Sequence, residues 1–348
     1  MNVPDVMKAV YMVGPKQFEI RKVPVPTLET DMDVLVRVRA VGVCGSDLTA
    51  WKGNHPHVKM PSIPGHEMVG EVVAVGSAVK NVAVGDHVVR EPIDYCGRCY
   101  ACTHGRPNVC ADLKVWGFAH DGGHREYFVS DASKLFKFDK DIDWTVAAMI
   151  EPYTIAAEVN ERAEIAPGDV VLIYGLGPAG MSIGDWAKYH GAKVIACDLI
   201  QKRLEMAAEF GFDYVFDSAS EDVAARVMEI TGGEGANVII DAAGAPGILD
   251  HALELLSPAG RIVPVAFNFS PSPISYGDIN IKEAKIVGSR LESGKFPVVI
   301  NELKAHSDHI RRQITHSFPM EQIDQAFETA ASRDPLVGKV VVTYGGER

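Results

Sequence analysis

The chain has 348 residues and a net charge of -12, a balance that argues against nucleic acid or an anionic membrane surface as partner. Its 47% hydrophobic and 23% charged content with 32 glycines describes an ordinary globular protein, and the length favours two domains over one. No apolar run reaches the roughly 20 residues that a bilayer span needs, and the start, Met1-Asn2-Val3-Pro4-Asp5, lacks the basic and apolar regions of a secretory signal.

Residues 8–12 and 33–41 alternate or run β-branched, as half-buried strands do, with a loop between them marked by Pro24, Pro26 and the acidic stretch 29–33. Residues 69–75 and 82–90 repeat the strand pattern, so the first 150 residues read as β-rich and glycine-punctuated. Near 145 the texture changes. Trp144 to Asn160 is Ala-rich and predicts a helix interrupted at Glu151-Pro152. From Pro167 onward strand and helix patterns alternate: strands at 170–174, 193–198, 213–217, 237–241, 261–265 and 284–289, helices at 178–190, 201–210, 220–230 and 246–257. That alternation predicts an α/β domain with a doubly wound parallel sheet. Beyond 290, helices are expected at 296–305 and 321–332, and a final strand at 339–343 that returns to the first domain. No internal repeat or low-complexity tract interrupts the chain.

Four of the six cysteines crowd into Cys96-x2-Cys99-x2-Cys102-x7-Cys110. Four thiolates on one compact loop close a tetrahedral shell around Zn²⁺ and leave no position open for chemistry, so this site is structural. Cysteine used this way in a chain of this size fits a reducing, cytoplasmic setting better than a disulfide framework. A second set of soft and borderline donors lies upstream: Cys44 in Cys44-Gly45-Ser46-Asp47, then His66 and Glu67 in Pro64-Gly65-His66-Glu67.

The strand 171–174 runs into Gly175-Leu176-Gly177-Pro178-Ala179-Gly180, followed by helix pattern. This is the dinucleotide fingerprint in its required context: one glycine for the turn, one to admit the pyrophosphate, one for close helix packing. A second strand ends in Asp198, near the expected twenty residues downstream, where a carboxylate accepts hydrogen bonds from the adenosine 2′-OH and repels a 2′-phosphate. NAD is therefore the expected cofactor, with Arg203, one turn into the next helix, also within reach of a phosphate.

With those elements placed, the chain resembles the zinc-dependent medium-chain dehydrogenases. The resemblance rests on Gly42-Val43-Cys44-Gly45-Ser46-Asp47, Gly65-His66-Glu67-Met68-Val69-Gly70, the 96–110 cysteines and the Gly175–Gly180 loop, which span nearly the whole chain. Met149-Ile150-Glu151-Pro152 and Gly288-Ser289-Arg290 are similar to the sorbitol and sugar-acid dehydrogenase branch. The resemblance implies a Rossmann domain (153–289) inserted in a β-rich GroES-like catalytic domain built from 1–152 and 290–348. It implies two zinc ions per chain, the catalytic one held by Cys44, His66 and either Glu67 or Glu151, and a homo-oligomer, tetramer or dimer. One departure is visible: five residues after the ligand cysteine, where many relatives have a proton-relaying histidine, stands Thr49. Ser46 is kept, so Ser46 and Thr49 are the expected relay. Ala50 replaces a frequent aromatic residue and suggests a roomier pocket.

The expected reaction passes a hydride from a secondary hydroxyl of a polyol or sugar acid, for example gulonate, galactonate or idonate, to NAD. Arg290 is the candidate to orient substrate hydroxyls or a carboxylate. The cluster His120, His124 and Arg125 offers anion contacts, although a solvated loop is the better expectation there. An amino-alcohol dehydrogenase of the threonine type uses the same parts and stays open, as does a non-catalytic nucleotide-binding protein.

Overall fold

The computed structural model describes residues 3–332, 334 and 336–345. Two compact units emerge, one formed by Met1–Pro152 with Phe296–Arg348, the other by Tyr153–Lys295.

The first unit is organised around the strand Asp33–Gly42. Its β-branched residues send Val34, Val36 and Val38 into one core, where Trp51, Met68, Phe128 and Phe327 complete the packing. This strand pairs antiparallel with Glu67–Val75, with Tyr127–Asp131 and with Lys339–Thr343. The register sets Gly42 opposite both Glu67 and Val341. The exit of one strand and the entries of two others thus meet at one end of a seven-stranded sheet. The expected return of the 339–343 strand to this half of the chain is observed.

In the second unit six strands run parallel in the order Tyr214–Asp217, Lys193–Asp198, Val170–Tyr174, Ala236–Asp241, Leu256–Pro264, Lys285–Ile286. Numbered within this sheet the order is 3-2-1-4-5-6, the doubly wound arrangement, and the direction reverses beside the first strand. The helix Pro178–Tyr189 follows that strand, opened by Gly177 at its cap and Pro178 in its first turn.

Several elements differ from the sequence expectation. The interruption of the 144–160 helix falls before Glu151-Pro152: Trp144–Ala147 ends and Ile150–Arg162 begins, with Pro152 in its first turn, where a missing N–H costs nothing. Gln17–Pro24 is a strand, paired in a ribbon with Val6–Gly14, and its largely exposed, charged faces hide the period. Gly45–Trp51 is a short helix, and Ile314–Pro319 is an edge strand beside Lys339–Thr343. The helix near the chain's end of the second unit, Tyr276–Lys282, carries a Ser275/Asp278 capping box. The strand expected at 284–289 shortens to Lys285–Ile286.

Candidate metal centres and cofactor loop

The four cysteines of the 96–110 loop converge. Their Sγ atoms all lie within 4.8 Å of one another. Cys99–Cys102 and Cys96–Cys110 are separated by 3.5 Å and Cys99–Cys110 by 3.8 Å. A tetrahedron with Zn–S bonds of about 2.3 Å has edges of roughly 3.8 Å, so the cage is the size of one zinc ion. All six cysteines of the chain are free thiols. Backbone N–H groups supply the compensation thiolates need: that of Cys99 points at Cys96 Sγ (3.4 Å), that of Asp112 at Cys110 Sγ (3.3 Å). Donors from Ala111 and Cys102 pull the Cys99 thiol down to about 6.

The second cluster forms where the strands of the first unit meet. Cys44 follows the strand Asp33–Gly42, His66 precedes the strand Glu67–Val75 and Glu67 opens it; their donor atoms lie within 4.8 Å of one another. His66 and Glu67 are buried. A Cβ on Gly42 would stand 1.9 Å from Glu67 Oε2, so only glycine lets this carboxylate reach the cluster. A thiolate, an imidazole and a carboxylate gathered in a buried corner are a fitting donor set for zinc.

Lys339, Asp47 and Tyr344, which the sequence left without a role, lie in or around this corner. Lys339, buried at the start of its strand, donates to Glu67 Oε1 at 2.5 Å and also pairs with Oε2. Burial alone would lower its ammonium, but Glu67, Cys44 and Glu151 outweigh that and hold it above its ordinary range. Asp47, wholly buried, sets Oδ1 at 3.4 Å from His66 Nδ1 and accepts the Cys44 N–H on Oδ2 at 3.1 Å. A carboxylate behind a ligating imidazole fixes its tautomer and orientation. His124 packs against Gly65 and shares a 2.7 Å hydrogen bond with the Tyr344 hydroxyl. Asp47 stood inside a quoted motif; Lys339 and Tyr344 come from the far end of the chain, where no local pattern marks them.

Glu151 lies in the first turn of the helix Ile150–Arg162 and is buried. Burial pushes its carboxyl up to about 7; His66 opposes the rise and Glu67 adds to it. These influences place it among the same charges, although it is not within the tight Cys44–His66–Glu67 group.

Ser46 and Thr49 share the helix Gly45–Trp51, but neither hydroxyl donates to the other. Ser46 donates to Cys44 Sγ (3.2 Å), and Thr49, exposed, to the Gly45 carbonyl (3.1 Å). Ala50 is buried in the apolar core, so it does not widen a pocket. The solvated-loop expectation for 120–125 holds only in part. His120 is exposed, whereas His124 is fully buried, its ring pushed down to about 4 by burial, and Arg125 faces the Trp116 ring at 5.6 Å.

In the second unit the fingerprint loop is built as its glycines require. Gly175 has φ +90°, and a Cβ on Gly180 would meet the Gly175 carbonyl at 1.9 Å. A Cβ on Gly177 would meet nothing within 4 Å, which is the open approach a pyrophosphate needs. Asp198 ends its strand with Oδ2 accepting the Leu176 N–H at 2.7 Å and Arg203 Nη1 at 3.4 Å. Pro178 and Ala179 form the first turn of the helix that follows. Arg290 is exposed, on the loop between Lys285–Ile286 and Phe296–Arg311.

Comparison with known proteins agrees with this layout. Residues 30–140 match the alcohol dehydrogenase GroES-like domain and residues 178–305 the zinc-binding dehydrogenase family. The chain is 31% identical to L-galactonate-5-dehydrogenase of Escherichia coli over 93% of this chain and 94% of that one. It is 33% identical to sorbitol dehydrogenase of Bacillus subtilis over 94% and 95%. A solved structure described as a short chain alcohol dehydrogenase (rspB) of Escherichia coli, complexed with NADH, superposes with a TM-score of 0.91 at 37% identity, covering 98% of this chain and 100% of the other.

Proposed function

Because the chain belongs to the zinc-dependent medium-chain dehydrogenases, in their polyol and sugar-acid branch, we propose that it oxidises a secondary hydroxyl of a polyol or sugar acid with NAD as hydride acceptor. The observation that carries this reading is the buried Cys44–His66–Glu67 group at the strand ends, beside Glu151. Relatives named for a sugar acid and for a polyol support this substrate class, and Arg290 with the nearby basic residues puts sugar acids slightly ahead.

When bound, zinc supplies Lewis acidity to a substrate hydroxyl and the nicotinamide accepts a hydride. The chain's own residues hold and orient. Cys44 and His66 are two ligands, and Glu67 or Glu151 provides the carboxylate. Asp47 keeps the His66 ring turned for ligation, and Lys339 balances the surplus negative charge by pairing with Glu67. Ser46, whose hydroxyl lies 3.2 Å from Cys44 Sγ, is assigned to receive the hydroxyl proton, and exposed Thr49 is the step to solvent. Arg290 is assigned to orient hydroxyls or a carboxylate. Gly175, Leu176, Gly177, Pro178, Ala179 and Gly180 cradle the pyrophosphate, with Asp198 reading the adenosine ribose and Arg203 steadying that carboxylate. Free cysteines support a cytoplasmic setting, and a homo-oligomer is the expected assembly. Among the described residues no helix is long and apolar enough to cross a membrane.

A panel of hexitols, aldonates and threonine, with NAD⁺ and separately NADP⁺, followed at 340 nm, tests the reading. Turnover of an aldonate or hexitol with NAD⁺ is expected. Activity confined to threonine or to simple primary alcohols would overturn it.

A further inference from the structure

The loop that follows the helix Gly45–Trp51 carries a histidine with no role in the reaction described above. Backbone hydrogen bonds tie the loop at both ends: Lys16 N–H to the Trp51 carbonyl at 2.6 Å, and Met12 N–H to the Ser62 carbonyl at 2.8 Å. Between these anchors the His55 ring, half-buried, stacks on Phe118 with centroids 4.4 Å apart and planes within 28°. Phe118 in turn lies 5.2 Å from the ring of His66. One aromatic ring therefore separates His55 from a candidate zinc ligand.

The ring's tautomer follows from its one hydrogen bond. The backbone N–H of His57 donates to His55 Nδ1 at 3.3 Å, so the neutral ring carries its proton on Nε2. Among the described residues no hydrogen bond engages Nε2. The charges that reach the ring are those of His57 on the same loop, Asp47 on the ligand helix and His66. Burial and then His57 lower its pKa, and Asp47 only partly opposes them, so the ring stays neutral near pH 7. An uncharged N–H on a ring stacked one aromatic ring away from His66 suits an uncharged or anionic oxygen. A relay base would need the opposite tautomer.

We propose that His55 is a specificity-determining residue, whose Nε2–H donates a hydrogen bond to an oxygen of the substrate away from the hydroxyl being oxidised. The inference rests on the polyol and sugar-acid reading, since a substrate with a single hydroxyl has no second oxygen to offer. A site built to donate to one substrate oxygen discriminates against the analogue that lacks it.

The test compares wild type with His55→Phe, which keeps a ring on Phe118 and removes the N–H, and with His55→Gln, which restores an N–H. Galactonate, sorbitol and 2-butanol are the substrates, and melting temperature controls for folding. Loss of a neutral hydrogen bond predicts roughly a tenfold fall in kcat/KM for galactonate or sorbitol in His55→Phe, a smaller one in His55→Gln, and little change for 2-butanol. Equal losses on all substrates, or none on any, overturn the role of His55 while leaving the substrate class standing. Wild-type protein that turns over neither galactonate nor sorbitol overturns the substrate reading, and this inference with it.

Discussion

The Asp47 carboxylate stands 3.4 Å from Nδ1 of His66 while its second oxygen accepts the backbone N–H of Cys44. One buried side chain thus orients two candidate ligands, one just after a strand and one just before another. Asp47→Asn keeps the shape and removes the charge. It is expected to weaken zinc retention at this site about 10–100-fold, the usual effect of removing an outer-shell carboxylate. Metal analysis after dialysis against a graded chelator reads this directly, and unchanged retention would remove Asp47 from the site.

Glu151 is a buried carboxylate close in charge to Glu67. Glu151→Gln is expected to lower kcat by at least about 10-fold with NAD⁺ affinity nearly intact. Steady-state kinetics beside calorimetric cofactor titration separates the two. Near-normal kcat would assign Glu151 to the scaffold and leave Glu67 as the carboxylate ligand.

For the four-cysteine loop, Cys99→Ser is expected to cost a zinc equivalent and to lower the melting temperature, because metal binding there is part of the folding free energy. The cage dimensions and the N–H···S donors motivate it. A variant with full zinc content and unchanged melting would show that the loop does not use the metal for stability.

The buried ring of His124 is held neutral, its pKa reduced to about 4 by burial. Unfolded, the same ring takes a proton near 6.5, so below that pH the unfolded chain binds more protons than the folded one. Stability from this group is complete above about 6.5 and is lost as pH falls toward 4, by on the order of 3 kcal/mol. His124→Asn removes the titration, so its melting temperature should decline less steeply than wild type between pH 6.5 and 4. Parallel declines would mean that other groups govern acid sensitivity.

Asp198 engages the Leu176 N–H and Arg203 at the end of its strand. Replacing it by alanine removes the like charge that a 2′-phosphate would meet, a juxtaposition costing several kcal/mol. The NAD⁺ to NADP⁺ ratio of kcat/KM should then narrow by about 100-fold. A wild-type enzyme that already prefers NADP⁺ would contradict the assignment.

What the sequence made legible was local. Strand-helix alternation from 170 onward announces the parallel sheet because each element carries its own period, and Cys96–Cys110 and Gly175–Gly180 are contiguous motifs. Ser275 and Asp278 cap a helix, but Pro271 and Pro273 just before them and Gly277 between them hide it from the sequence. The corner around His66 was only half legible. Cys44, His66 and Glu67 sit in glycine-marked turns, whereas Lys339 and Tyr344 join through strand pairing across most of the chain's length. Ala50 shows the opposite failure: its small side chain reads as an open pocket until the core around it is known.

The pairing of Lys339 with Glu67 has a consequence for biosynthesis. Cys44, His66, Glu67 and Glu151 leave the ribosome with the first stretch of the chain, but their balancing cation arrives only after the whole parallel-sheet unit has been translated. At typical elongation rates that interval is on the order of ten seconds or more. Through it Glu67 lacks the ammonium that pairs with it in the folded chain. Closure of the strand Lys339–Thr343 onto Asp33–Gly42 is therefore the event that delivers the cationic partner of Glu67.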